Sequence, residues 1–178
     1  MTPVGHALTG TAIAVICMPK HTSRRYKLIH FVAFIALALV PDFRLPNWGH
    51  DKYYISHSLF INLLFIFGLM ILLALFKNIR AKIGGWVVIV CGAAAWLSHL
   101  LLDSFYNHGK GVAIFWPFSK GRLVLPIPWL SVVKTLPPPI TIELVRILLI
   151  EFVTFFPLVL FAILIRNQLL SIKYGRRQ

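Results

Sequence analysis

The sequence predicts an all-helical bundle embedded in a membrane. Three observations lead to this fold class: the composition, the length of the apolar runs and the positions of the basic residues. Hydrophobic residues make up 58% of the 178 residues and mean hydropathy is +0.81, whereas soluble domains are roughly 45–50% apolar. A soluble chain of this length could not bury so much apolar surface. We therefore expect one membrane-embedded domain over residues 1–178.

Five apolar stretches predict about five helices, two shorter ones at the N-terminus followed by three long spans. The stretches cover approximately residues 3–18, 28–40, 57–76, 84–103 and 140–165. The second stops at Pro41, since proline disfavours helix in the residue before it. The third and fourth have about the 20 residues that cross a bilayer core. The first lacks the basic beginning of a signal peptide, so we expect a retained helix.

Two further features of the segments bear on packing. The fourth stretch contains the small residues Gly92 to Ala95, which favour close helix contact. Cys17 and Cys91 both fall inside apolar stretches, and we interpret them as small core residues because no zinc-binding cysteine pattern surrounds them. Residues 104–139, rich in proline and aromatic residues, form a loop too long for a simple turn. We expect it to extend over a site.

The strong positive charge also indicates a membrane protein. Its formal value is +13, and most basic residues lie in short clusters at alternate connections, around residues 20–27, 77–82 and 166–177. Such clusters mark cytoplasmic loops. A nucleic-acid-binding protein would instead carry its basic residues on a folded polar face, so we expect no nucleic-acid partner. The oligomeric state cannot be predicted.

Five ionisable residues are predicted to meet at the opposite, non-cytoplasmic face. The alternating directions of the first four helices bring to one level the residues His6, Asp42, His57, His99 and Asp103. His99 and Asp103, four residues apart, share one face of a helix. Imidazole and carboxylate groups bind zinc or a similar divalent ion, and ionisable groups in membrane segments usually have a role. A bound ion would activate water for hydrolysis, with a spare carboxylate as general base.

Each residue also has an ordinary structural interpretation. Asp42 is a plausible turn residue after Pro41, and His57 lies between two serines that suit a helix cap. The pair His99 and Asp103 is equally compatible with a buried hydrogen bond. The coincidence of all five at one level favours a shared site. Accessory roles are expected at the same face for His50, Asp51, Lys52, His108 and Glu143.

The order of these short motifs resembles a known family. It runs through Gly5-His6, Pro41-Asp42, Ser56-His57-Ser58, Ser98-His99 to Asp103, and Phe115 to Ser119. The pattern resembles the YdjM-like, LexA-regulated, membrane-bound metal-dependent hydrolases of the bacterial inner membrane, which are distantly similar to zinc-dependent phospholipase C. The resemblance covers residues 5 to 122. The chain departs from it at Arg44, where the family commonly has a second acidic residue.

The resemblance implies metal-binding roles for all five clustered residues, zinc as the expected ion, and catalytic roles for Asp42, His57 and Asp103. The function we expect is hydrolysis of a phosphoester or another ester of a lipid or amphiphile at the membrane interface. One alternative is a lipid phosphatase that uses His99 as phosphohistidine, although the chain lacks the other motifs of that class. Another is a membrane transporter or a non-catalytic adaptor with a structural metal site.

Overall fold

The computed structural model describes residues 2–19, 22–43, 53–106, 111–125, 127–131 and 140–175. Throughout these ranges the regular structure is helical, with an isolated antiparallel bridge between Val112 and Leu123 in the loop after α6. The helices are α1 Pro3–Cys17, α2 Arg24–Leu39, α3 Tyr53–Ser56, α4 Leu59–Leu75, α5 Lys77–Lys82, α6 Gly85–Ser104 and α7 Ile142–Gly175, with a 3-10 turn Val40–Asp42 after α2. The predicted all-helical class is confirmed.

Polar N-cap residues mark where three of the helices begin. Thr2, Ser23 and Ser58 occupy the N-cap positions of α1, α2 and α4, and each side-chain oxygen accepts a hydrogen bond from a backbone N–H of the first turn. These bonds satisfy donors that the helix itself leaves without partners. Ser58 is thus the cap of α4, and its position fixes His57 immediately outside the helix.

Helix α1 lies at the centre of the bundle and packs against α2, α6 and α7. Gly10 permits the approach to α2, since a Cβ atom there would lie 2.7 Å from the carbonyl oxygen of Phe34. Small residues allow membrane helices to pack this closely. The imidazole of His30 lies 3.2 Å from the carbonyl oxygen of Ala14 and so joins α2 to α1.

Within the described part of the chain, two helices are long and apolar enough to cross a membrane: α6, and α7 over residues Ile142–Leu169. The predicted third long span is shorter than expected, because the 17 residues of α4 fall below the ~20 needed for a straight crossing. Large apolar side chains on α4 and α7 are exposed, including Leu64, Phe65 and Val153. Such a surface suits contact with lipid rather than water.

The two cysteines are bonded to each other, which the sequence interpretation did not predict. Cys17 at the end of α1 and Cys91 in α6 form a disulfide, with Cα atoms 6.4 Å apart. They are therefore a covalent link between the two central helices rather than independent core residues. The pairing was missed because 74 residues separate them in sequence, and only the packing of α1 on α6 brings them together.

The loop after α6 is tied back to the bundle by backbone hydrogen bonds. Leu125 and Ile127 donate to the carbonyls of Ser104 and Phe105, each at 2.8 Å, and Leu59 donates to Ile114 at 2.9 Å. Leu130 is buried against Leu102 and Tyr106. The described parts of the loop are therefore packed on the end of the bundle where α6 finishes and α4 begins.

Candidate metal centre

Four elements bring histidine and aspartate side chains to one end of the bundle. His6 lies in the second turn of α1, Asp42 ends the 3-10 turn after α2, His57 precedes α4, and His99 and Asp103 occupy the last turns of α6. We call this the site end. All three histidines are buried, and so is Asp103. The five residues that the topology predicts at one level are thus all brought together.

Four of them form a compact group of possible metal ligands: Asp42, His57, His99 and Asp103. The Nε2 atom of His57 lies 3.0 Å from Oδ2 of Asp103 and 3.7 Å from Oδ1 of Asp42. The Nε2 atom of His99 lies 3.4 Å and 3.5 Å from the same two oxygens, and the two Nε2 atoms are 3.3 Å apart.

These separations suit one ion. Four ligands at zinc-like bond lengths of about 2.0–2.2 Å, arranged as a tetrahedron, would lie about 3.3–3.6 Å from one another. The five separations, from 3.0 to 3.7 Å, fall around that range. Imidazole nitrogen and carboxylate oxygen are also the donors that zinc takes. The residues present therefore fit a divalent ion.

The orientation of the His99 ring supports the same conclusion. Its Nδ1 atom lies 2.7 Å from the carbonyl oxygen of Ala38, and because a carbonyl can only accept, Nδ1 must carry the proton. In the neutral ring Nε2 then presents a lone pair to the oxygens of Asp42 and Asp103. A divalent ion among these acceptors, or a second proton on the ring, satisfies this arrangement. A histidine that donates its other N–H to a carbonyl is also the usual arrangement at metal sites.

His57 is held in a comparable way. Its Nδ1 atom is 2.9 Å from Oγ of Ser56, which leaves Nε2 directed at Asp103. Asn62, one turn into α4, donates to the carbonyls of Ser56 and Ser58 at 2.8 and 2.7 Å. Trp96 of α6 donates to the Asn62 side chain at 2.6 Å. The turn that carries His57 is thus fixed to both α4 and α6.

His6 lies beside the four-atom group rather than within it. Its ring stacks on that of His99 with centroids 3.7 Å apart, and its Nε2 atom is 3.3 Å from Oδ1 of Asp103. Both ring nitrogens of His6 and this carboxylate oxygen are buried without a hydrogen bond in the part of the chain that the structure describes. Buried polar atoms of this kind call for an ion or water. A ligand role for His6 stays a prediction.

Asp42 differs from the other members in its exposure. Its side chain is 30% exposed, against 10% for that of Asp103, and it lies on a short 3-10 turn rather than on a long helix. Oδ1 of Asp42 is also farther than Oδ2 of Asp103 from the Nε2 atoms of His57 and His99. The site therefore has one side, near Asp42, that is open to the surroundings.

Among the predicted accessory residues, Glu143 is exposed in the first turn of α7, eight residues before Glu151, and does not join the group. The predictions for His50, Asp51, Lys52 and His108 fall outside the described residues.

Glu151 has partners that are distant in sequence. A basic group such as Arg146 is the pairing that the sequence suggests, but the side chain is buried (1% exposed) against the start of α1. It accepts hydrogen bonds from the backbone N–H groups of Thr2 at 3.0 Å and Gly5 at 3.1 Å, and from the Thr2 hydroxyl. A carboxylate at a helix N-terminus is stabilised by the helix dipole. Glu151 therefore anchors the turn next to His6.

Tyr106 lies in the same buried region. Its side chain is 1% exposed, and burial, together with the nearby Glu151 carboxylate, raises the pKa of its hydroxyl. The group therefore stays protonated. It contributes to the packed layer beneath the site, where it contacts Leu130 and Phe155.

Fold and site together define the class: a helical membrane protein with a buried group of histidines and aspartates that could hold a metal ion. The chain matches the family described as YdjM inner membrane protein over residues 1–171. It belongs to that family, and the inner-membrane resemblance expected from the motifs is confirmed. Comparisons with curated proteins and with solved structures find no match.

Proposed function

We propose that this protein is a membrane-bound, zinc-dependent hydrolase of a phosphoester or another ester of a lipid or amphiphile. The observation that carries the proposal is the group of two imidazoles and two carboxylates at one end of a helical bundle, in which the Nε2 atoms lie 3.0–3.7 Å from the carboxylate oxygens and 3.3 Å from each other. Two histidines and one carboxylate, with a fourth position left open, are the ligand set of several hydrolytic zinc enzymes. A distant likeness to zinc-dependent phospholipase C is part of the same proposal.

In this proposal His57, His99 and Asp103 hold the ion. When bound, the ion would lower the pKa of the attacking water molecule and polarise the ester oxygen. The more exposed Asp42 accepts the proton of the attacking water as general base, a role that requires hydrogen-bond reach of the water. His6, at 3.3 Å from Oδ1 of Asp103, orients that carboxylate.

The amphiphilic substrate follows from the position of the site. The site lies at helix ends rather than at mid-bundle, and exposed aromatic side chains of the adjoining loop, Phe118 and Trp129, suit a membrane interface. A lipid headgroup at that depth meets the open side next to Asp42. We further propose that this face is the non-cytoplasmic one, because the basic clusters lie at the opposite end.

One observation favours a second candidate, a non-catalytic protein with a structural ion. The group offers four protein ligands and is largely buried, and structural zinc sites are closed by four protein ligands. The two candidates differ in the position of Asp42, which binds the ion in the structural site and acts on water in the enzyme.

The test uses the full chain purified in detergent. We expect bound zinc by elemental analysis, and hydrolysis of a chromogenic phosphocholine diester or of phospholipid in mixed micelles. His99→Ala should abolish both metal binding and hydrolysis. His30→Gln, a change at the buried histidine outside the group, should leave both unchanged. Protein that binds no zinc, or zinc-loaded protein that hydrolyses neither substrate, would overturn the enzymatic proposal.

A further inference from the structure

A second potential binding site lies between α2, α4 and α6. It is a cavity of about 430 Å³, within the 300–1,000 Å³ typical of ligand sites. Its walls are almost entirely apolar and include Phe34, Leu37, Ile66, Met70, Ile89 and Trp96. Tyr26 and Lys82 lie among the residues at its polar margin. This combination suits a molecule with a long apolar part and a charged group.

The cavity runs along α6 away from the metal centre. Its α6 residues extend from Trp96, three residues before His99, to Val88, eleven residues before it, so its far end lies about 16 Å along the helix from His99. Its upper end, at Tyr26 and Lys82, lies where α2 and α6 begin, and Tyr26 donates to the carbonyl of Ile83 at 2.8 Å. We call this the basic end of the bundle. The inference is therefore independent of the proposed hydrolase activity.

The charge at the basic end is positive and uncompensated. The carboxylates of the whole chain are Asp42, Asp51, Asp103, Glu143 and Glu151. None of them belongs to α4, to α5 or to the first half of α6, which surround the mouth of the cavity. Lys82 is the one Lys, Arg, Asp or Glu among the described residues that line the cavity.

The neighbouring base has a different role. Arg80 donates to the carbonyl of Ala74 at 3.1 Å, and its guanidinium lies 4.9 Å from the centre of the Trp86 ring. These contacts hold Arg80 against α4 and Trp86. Lys82, in contrast, lines the cavity.

We propose that the cavity binds an anionic phospholipid, with an acyl chain along the apolar walls and the phosphate at Lys82. Basic pockets between membrane helices bind anionic lipid headgroups in this manner. The bilayer around an inner-membrane protein supplies such lipids directly, and charge complementarity distinguishes this occupant from a zwitterionic lipid. A lipid bound there would fill the gap between α4 and the α2–α6 pair.

Fluorescence quenching by brominated lipids tests the proposal. Trp96 lines the cavity, so a brominated acyl chain inside it quenches this tryptophan, and the Trp96→Phe variant gives the background from the other tryptophans. The full chain is reconstituted in phosphatidylcholine vesicles with increasing dibrominated phosphatidylglycerol or, separately, dibrominated phosphatidylcholine. We expect the Trp96 signal to be quenched at a lower mole fraction of phosphatidylglycerol than of phosphatidylcholine.

Matched variants identify the contacts. Lys82→Gln should reduce the preference for phosphatidylglycerol over phosphatidylcholine by about five-fold, the effect expected for one lysine near an anionic headgroup. Lys77→Gln on the same helix should reduce this preference less. Ala93→Phe fills the cavity and should abolish quenching, whereas Ala94→Phe, at the adjacent exposed position, should not. Equal quenching by the two lipids, equal effects of the two lysine variants, or quenching unaffected by Ala93→Phe would each overturn the proposal.

Discussion

Replacement of Asp42 by asparagine separates the catalytic candidate from the structural one. Asparagine keeps the size of the side chain and removes its charge and basicity. His57, His99 and Asp103 remain, with mutual separations of 3.0, 3.3 and 3.4 Å, so a three-ligand site is retained. We expect zinc content to stay near one ion per chain, because three protein ligands suffice at catalytic zinc sites. Loss of a general base should lower kcat by roughly 10²–10⁴-fold.

Asp103→Asn is the matched comparison, because it makes the same chemical change at the buried carboxylate. Asp103 contacts all three histidines, at 3.3 Å to His6, 3.0 Å to His57 and 3.4 Å to His99. Its neutralisation should remove zinc binding as well as activity. The same change therefore has different consequences at the two aspartates if only one of them is a ligand.

The assay measures zinc by elemental analysis after dialysis against a weak chelator, and hydrolysis in detergent micelles with zinc added back. Loss of zinc from Asp42→Asn equal to that from Asp103→Asn would make Asp42 a ligand and favour the structural site. Full activity of Asp42→Asn would remove its role as base. Zinc retained by Asp103→Asn would contradict the assignment of the metal centre itself.

Four further predictions concern the metal and the bundle. Removal of metal by a strong chelator should lower the Tm of wild-type protein but not of His99→Ala, because only the former gains stability from binding; thermal circular dichroism measures both. Glu151→Gln should destabilise the fold by about 1.5–3 kcal/mol, the value of a hydrogen bond to a charged group, and should weaken zinc binding through His6. A chemical unfolding curve measures the first effect and a zinc titration the second. If Glu151 does not anchor the start of α1, neither quantity should change. Gly10→Ala should cost about 1–3 kcal/mol by overpacking against Phe34, whereas Gly68→Ala, with nothing within 4 Å of the added Cβ, should be neutral or stabilising in the same unfolding assay. Reduction of the Cys17–Cys91 disulfide should lower the free energy of unfolding by about 2–4 kcal/mol. Reduction should also raise the intact mass by two hydrogens, and an unchanged mass would disprove the pairing.

The gathering of the site residues could be predicted because it depends only on topology. Apolar runs indicate where the longer helices lie, and successive long helices alternate in direction. The ionisable residues of the site, His6, Asp42, His57, His99 and Asp103, are therefore expected at one end. Ser58, one of the two serines beside His57 that suit a helix cap, is the N-cap of α4. These features are local, and local physics determines them.

The details that depend on helix rotation and contact could not be predicted. Whether His6 faces the shared centre or only Oδ1 of Asp103 depends on how α1 is turned against α6. The partner of Glu151 is 146 residues away at Gly5, whereas sequence proximity suggested Arg146. The helix ends also differ from the ends of the apolar runs, since α4 stops at Leu75 and α7 continues to Gly175.

The position of Glu151 shows how a distant residue can act on the metal centre. The carboxylate holds the backbone of Thr2 and Gly5, and His6 is the next residue after Gly5 in the same helix. His6 in turn contacts Asp103 at 3.3 Å, and Asp103 contacts His57 and His99. Each link is a direct contact between buried groups, where small displacements are transmitted because the interior is close-packed. Conservative replacement of Glu151 should therefore change zinc affinity more than replacement of exposed Glu143, which lies on the same helix and has no link to α1.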